Sequence, residues 1–128
     1  MPLEHFPFFS VGKKYRVPMF LATSFSRDIA ENFMRTAAWT GSTPVIWTVR
    51  VDPRGASLLK FRCRHVNYVE SSHVGAEREY LFAPYSVFTV KRAYCPVDPT
   101  EYEPIEIELE AAPDNKLEPE ELPNAPWA

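Results

Sequence analysis

The sequence has little cysteine, little glycine and no long hydrophobic run. Its 128 residues include two cysteines, Cys63 and Cys95, which are too few for a disulfide framework, so we expect a reduced, intracellular setting. No window approaches the roughly 18 consecutive apolar residues that a membrane-spanning helix needs. Residues 1–16 place their basic cluster after the apolar residues and lack a small-residue cleavage site, which argues against a secretory signal. We therefore expect no membrane partner.

Motifs for several ligand classes are also missing. Cys63 and His65 form one C-x-H pair, but no second pair follows at zinc-ligand spacing, so we expect no metal site. No aromatic-basic RNP pattern or other nucleic-acid motif occurs, and we expect no nucleic-acid partner. The four glycines do not form a dinucleotide-binding fingerprint. A structural zinc site and a nucleic-acid-binding domain are therefore disfavoured.

What is present predicts one globular domain with an unusual last third. Apolar residues make up 45% of the chain, enough for a real core at this length. Residues 1–95 carry 13 Lys and Arg against 7 Asp and Glu, whereas residues 96–128 carry 1 Lys against 10 acids and hold 7 of the 13 prolines. We expect a domain over residues 1–112 and an acidic, proline-rich tail over 113–128 that wraps the surface.

Hydrophobic periodicity predicts one well-marked helix. Ile29, Phe33 and Ala37 recur at four-residue spacing, with Ala30, Met34 and Ala38 beside them, as on the apolar side of a helix. Ser26 is the expected N-cap, and Gly41 follows the expected end near Trp39.

The remaining runs predict strands. Arg16–Thr23 reads as one buried strand, and further strands are expected at 44–51, 64–69, 79–82 and 86–92, with a short strand or a turn of helix at 57–61. Pro104–Glu110 alternates apolar and acidic residues, typical of a half-buried strand, which we place at a sheet edge. The sum is a β-dominated α+β fold with one main early helix.

Glu77 and Glu79 precede the apolar run that begins at Tyr80. In a strand they point the same way, about 6.5–7 Å apart. Two acids on one face can share work: one stabilises positive charge on a sugar carbon and the other orients an incoming nucleophile. The pattern alone also fits two solvent-facing acids, since Glu101 and Glu103 repeat it.

In this order, the segments resemble the arginine-type mono-ADP-ribosyltransferases, whose signature is an arginine, then S-T-S on a strand, then E-x-E. Ala22-Thr23-Ser24 resembles the S-T-S strand, 26–39 the helix after it, 69–79 the loop leading into E-x-E and 80–90 the strand pair that follows. The resemblance covers about 12–115 and implies a split β-sandwich. It also implies NAD as a consumed substrate and an acceptor protein that carries an arginine.

The resemblance implies roles for four residues. Glu79 would bind the ribose 2′-hydroxyl and stabilise the cation, while Glu77 would position the acceptor guanidinium. Thr23 and Ser24 would brace the NAD pocket and the catalytic acid.

Two departures from the family pattern matter. Ala22 replaces the serine that would hold the catalytic carboxylate, and the family's phosphate-binding arginine lies well upstream of S-T-S. The chain is therefore expected to lack the strand that carries this arginine. Arg16 either takes over its role or is a surface or strand-end residue.

Three hypotheses stay open: an ADP-ribosyltransferase acting on protein arginine or on water, a catalytically impaired relative that binds NAD or a protein, and an unrelated small β-rich binding domain.

Overall fold

The computed structural model describes residues 1–24, 26–51, 66–69, 79–112 and 115–127, with the backbone alone at 51, 66–69, 79 and 80. Within these ranges the chain forms one α-helix, seven strands and two short 3₁₀ helices. The helix is α1 (Arg27–Trp39), and the 3₁₀ helices span Leu3–Phe8 and Asn115–Leu117. The strands are β1 (Lys14–Val17), β2 (Leu21–Ser24), β3 (Val45–Val51), β4 (Val66–Val69), β5 (Glu79–Phe82), β6 (Ser86–Tyr94) and β7 (Ile105–Ala111).

The described strands form two separate sheets. One has four strands in the order β1-β6-β7-β3, and the other has three in the order β2-β5-β4. Neighbouring strands are antiparallel except for β3 and β7, which are parallel. The predicted α+β class, dominated by strands and with one main early helix, is confirmed.

The prediction of one strand over Arg16–Thr23 is wrong. This run forms β1 and β2, which pair in different sheets, with Pro18, Met19 and Phe20 between them. Pro18 has no N–H for a ladder hydrogen bond and restricts the residue before it. The return connection at 83–85 lies alongside, where the Tyr85 N–H donates to the Val17 carbonyl at 2.7 Å. The chain therefore passes between the sheets twice at one place.

Strand β7 confirms the predicted alternation but not the predicted edge position. Ile105, Ile107 and Leu109 are buried, while the three glutamates between and after them are half-exposed. β7 lies between β6 and β3 rather than at an edge. The glutamates pair with cations that flank them: Glu106 with Arg27 and Arg92, Glu108 with Arg50, and Glu110 with Lys91. The alternation of apolar and acidic residues therefore indicates that one face of β7 is solvated, and it does not indicate that β7 lies at a sheet edge.

Helix α1 begins and ends where the sequence predicted. Ser26 is the N-cap, and its Oγ accepts a hydrogen bond from the Ile29 N–H at 3.4 Å. Met34 is the one buried residue of α1, and it faces β3 beside Ile46 in a pocket of about 240 Å³. Phe33, expected on the buried stripe, is 61% exposed. No helix in the described ranges is long and apolar enough to cross a membrane.

The core lies mainly between the four-stranded sheet and the elements that cover it. Phe82 of β5 meets Phe88 of β6 with ring centroids 5.3 Å apart, which joins the two sheets. Phe9 packs edge-on against Tyr15 and Trp47. The core cluster contains Phe9, Tyr15, Val17, Phe82, Phe88, Val90, Ile105, Ile107, Leu109, Ala111 and Ala125.

The C-terminal segment, residues 115–127, packs along β1. Ala125 is buried in the core, its N–H donates to the Arg16 carbonyl at 2.8 Å, and Trp127 stacks on Phe9. The Arg16 N–H donates to the Pro123 carbonyl at 2.9 Å. Among the large apolar residues of this segment, Trp127 contacts the core, Leu122 is half-buried and Leu117 is exposed.

Candidate active site

Strands β2 and β5 bring the two predicted motifs together. In their antiparallel register Ser24 pairs with Glu79, Thr23 with Tyr80 and Ala22 with Leu81. Directly opposed residues of an antiparallel pair occupy the same face of a sheet at close range. The register therefore places Glu79 opposite Ser24, although the two residues are 55 positions apart in the sequence.

Ser24 joins this strand pair to the start of α1. Its Oγ accepts a hydrogen bond from the Ser26 N–H at 3.1 Å, and Ser26 in turn caps the helix. A serine hydroxyl can accept and donate at once, so Ser24 Oγ can donate a hydrogen bond while it accepts this one. The end of β2, the helix N-terminus and the start of β5 are thereby fixed to one another.

The two faces of β2 have different surroundings. Leu21 packs against the core cluster, and Thr23 follows it on the same face because strand side chains alternate. Ala22 and Ser24 share the opposite face, where Ala22 is exposed and Ser24 is half-buried. Of the two predicted pocket residues, Ser24 and not Thr23 is thus opposed to Glu79.

Two other residues considered from the sequence are Glu77 and Arg16. Glu77 and most of the loop that leads to it lie outside the described residues. Arg16 is 9% exposed, and its guanidinium donates to three backbone carbonyls: Tyr85 at 2.8 Å, Pro119 at 2.7 Å and Glu118 at 3.2 Å. Arg16 is thus a buried residue that binds the C-terminal segment rather than a surface arginine.

In the part of the chain that the structure describes, no cluster of three or more His, Cys, Asp or Glu side chains could hold a metal ion. What β2 and β5 bring together is a hydroxyl and a carboxylic residue at opposed positions. Such a pair can orient a carboxylate beside a developing positive charge.

Three solved structures show the same fold. ADP-ribosyltransferase Vis in complex with the M6 inhibitor has a TM-score of 0.62 at 18% identity, covering 86% of this chain and 44% of that one. Vis in complex with agmatine has a TM-score of 0.57 at 17% identity, with the same coverage. The Vis toxin, an ADP-ribosyltransferase from Vibrio splendidus, also scores 0.57 at 17% identity, covering 86% and 43%.

The chain therefore has an ADP-ribosyltransferase-like α+β fold. It spans less than half the length of the structures that it matches. No family model matches the sequence, and neither does any curated protein. At 17–18% identity the similarity defines the fold alone, so activity has to be argued from the residues of β2 and β5.

Proposed function

We propose that this chain is an NAD-dependent mono-ADP-ribosyltransferase domain that transfers ADP-ribose to an arginine of an acceptor protein. The observation that carries the proposal is the pairing of Ser24 with Glu79 inside an ADP-ribosyltransferase-like fold. The same two residues were selected from the sequence by their resemblance to the S-T-S and E-x-E motifs.

In the proposed reaction the nicotinamide–ribose bond of NAD breaks, and nicotinamide leaves with the electron pair. The ribose carbon becomes cationic, and the Glu79 carboxylate stabilises it while it binds the 2′-hydroxyl. Ser24 replaces the missing hydroxyl of Ala22 as the group that orients this carboxylate. Its position opposite Glu79, on the same strand face as Ala22, supports that substitution.

The acceptor nucleophile is proposed to be a guanidinium. Glu77 lies two positions before Glu79, so in a continuous strand it occupies the same face. There it would bind the guanidinium and take the proton that the attacking nitrogen loses. The complex of Vis with agmatine, an arginine analogue, is consistent with this choice of acceptor. Without an acceptor, water would take the same position and NAD would be hydrolysed.

The test measures nicotinamide release from NAD, and transfer to agmatine, for the wild type and three variants. We expect Glu79→Gln to abolish both reactions, and Glu77→Gln to lose transfer while it retains hydrolysis. Glu108→Gln is the matched control, because Glu108 lies on β7 in the other sheet and pairs with Arg50. Turnover by Glu79→Gln at the wild-type rate would refute the assignment.

A second candidate function is a relative without catalysis that binds NAD or a protein partner. The exposed Ala22, which has no hydroxyl where the family carries serine, favours it. Thermal denaturation with and without NAD separates the two: NAD that raises the melting temperature without being consumed identifies a binding domain. Neither stabilisation nor turnover would reject both functions.

A further inference from the structure

An open groove lies at the far end of α1, between the helix and the loop that connects β6 to β7. Its volume is about 400 Å³, and it is lined by Ala38, Trp39, Gly41, Ser42, Thr43, Pro44, Pro99, Thr100 and Glu101. Ser24 lies just before the N-terminus of α1, whereas the groove lies at its C-terminus. The two ends of this 13-residue helix are about 20 Å apart at 1.5 Å per residue. The groove is therefore separate from the strand pair that holds Ser24 and Glu79.

The carboxylate of Glu101 lies beside exposed aromatic side chains. The indole Nε1–H of Trp39 donates to Glu101 Oε2 at 3.0 Å, and Tyr102 is the next residue in the chain. Trp39 is 75% exposed and Tyr102 is 87% exposed. The indole N–H is a neutral donor, so this contact brings no cation to Glu101.

Within the described residues, no lysine or arginine forms an ion pair with Glu101 or with its neighbour Glu103. The arginines of the adjoining helix face are engaged elsewhere, since Arg27 and Arg35 pair with Glu31 at 2.9 and 3.6 Å. Glu101 raises the pKa of the Tyr102 hydroxyl, and Arg35, which lines the neighbouring pocket with both residues, lowers it. The residues that line the groove include Glu101 and Trp39 but no lysine or arginine. Arg27 and Arg35 line the neighbouring pocket, which also contains Glu101.

The loop that presents Glu101 is already ordered for binding. Thr100 Oγ1 accepts hydrogen bonds from the N–H groups of Tyr102 and Glu103, at 3.3 and 3.1 Å. The Thr100 N–H donates to the Glu103 carbonyl at 3.0 Å, and the Tyr94 hydroxyl donates to Glu103 at 2.8 Å. Binding of a ligand would therefore cost little conformational entropy in this loop.

A carboxylate flanked by exposed aromatic rings suits a guanidinium or an ammonium group, through an ion pair and a cation–π contact. The groove continues from Glu101 past Pro99 and Pro44, further than a single amine requires. We infer that this groove binds an extended, basic segment of a partner protein, with one arginine or lysine side chain on Glu101. The inference does not depend on the proposed transfer reaction.

The test measures binding by fluorescence anisotropy of a dye-labelled peptide, Gly-Pro-Arg-Pro-Arg-Pro-Gly, and of its twin with glutamate in place of arginine. The wild type should bind the basic peptide and not the acidic one, more weakly as salt rises. Glu101→Gln and Trp39→Leu should each weaken binding about five- to tenfold. Glu108→Gln removes the same charge from β7 and should change it by less than about twofold.

Three results would overturn the inference. Equal binding of the two peptides would exclude charge recognition, and equal weakening by Glu101→Gln and Glu108→Gln would show only diffuse surface attraction. Spermidine that displaces the peptide at a concentration no higher than that of unlabelled peptide would identify a free polyamine site instead. Circular dichroism of each variant checks that a loss of peptide binding does not result from unfolding. We expect both variants to fold, because Trp39 is exposed and Glu101 is half-exposed.

Discussion

Replacing Arg16 by methionine tests whether one buried side chain holds the C-terminal segment on the domain. The substitution keeps an unbranched, apolar stem and removes three hydrogen bonds, of 2.7, 2.8 and 3.2 Å, to backbone carbonyls. A hydrogen bond to a charged group contributes about 1.5–3 kcal/mol, but such contributions do not add fully and removal of a buried charge offsets part. We expect a loss of about 2–4 kcal/mol in the free energy of unfolding.

For a chain of this size, that loss corresponds to a fall in melting temperature of roughly 8–16 °C. Calorimetry measures it, and limited trypsin digestion after Lys116 reports release of the segment. Arg50→Met is the matched control, since Arg50 is 73% exposed and pairs with Glu108 at 3.6 Å; it should cost less than about 1 kcal/mol. Equal effects of the two variants, or a stabilised Arg16→Met, would refute the reasoning.

Three further predictions concern other parts of the molecule. Burial raises the pKa of Tyr15, so its phenol ionises more readily in the unfolded chain. The free energy of unfolding should therefore fall as pH rises above about 10. In alkaline denaturation, Tyr15→Phe should reduce the slope of that fall by up to about 1.4 kcal/mol per pH unit. Ser26→Ala removes the cap of α1 and should cost about 1 kcal/mol in urea denaturation, whereas the exposed Ser42→Ala should cost little. Ala22→Ser should raise NAD cleavage about tenfold relative to Ala22→Val, if a second hydroxyl on this strand face orients Glu79; equal rates would contradict that placement.

Local signals predicted the helix well because each is carried by neighbouring residues. The Ser26 cap, the four-residue spacing and Gly41 all lie within one segment, and α1 begins and ends accordingly. The exposure of Phe33 depends instead on which elements lie beside the helix. The same limit explains β7: alternation shows that one face is solvated, but neighbouring strands decide whether the strand is central.

Of the candidate site, the sequence identified Ser24 and Glu79 only through a family resemblance. Their opposition results from strand register, which short motifs do not encode. The partner of Trp39 is 62 positions away in sequence, and Arg16 bonds to carbonyls more than 100 positions away. No periodicity links such residues, so a single sequence carries no signal for these contacts. Glu77 stays a prediction.

The two connections between the sheets, at 18–20 and 83–85, run side by side. Val17 pairs with Ser86 at their four-stranded-sheet end, and Leu21 pairs with Phe82 at their three-stranded-sheet end. These two connections fix the positions of the sheets relative to each other at this place. Ser24 and Glu79 sit three positions farther along, about 10 Å out, where a small rotation moves the backbone most. A change in the angle between the two sheets would therefore move Ser24 and Glu79 relative to the four-stranded sheet.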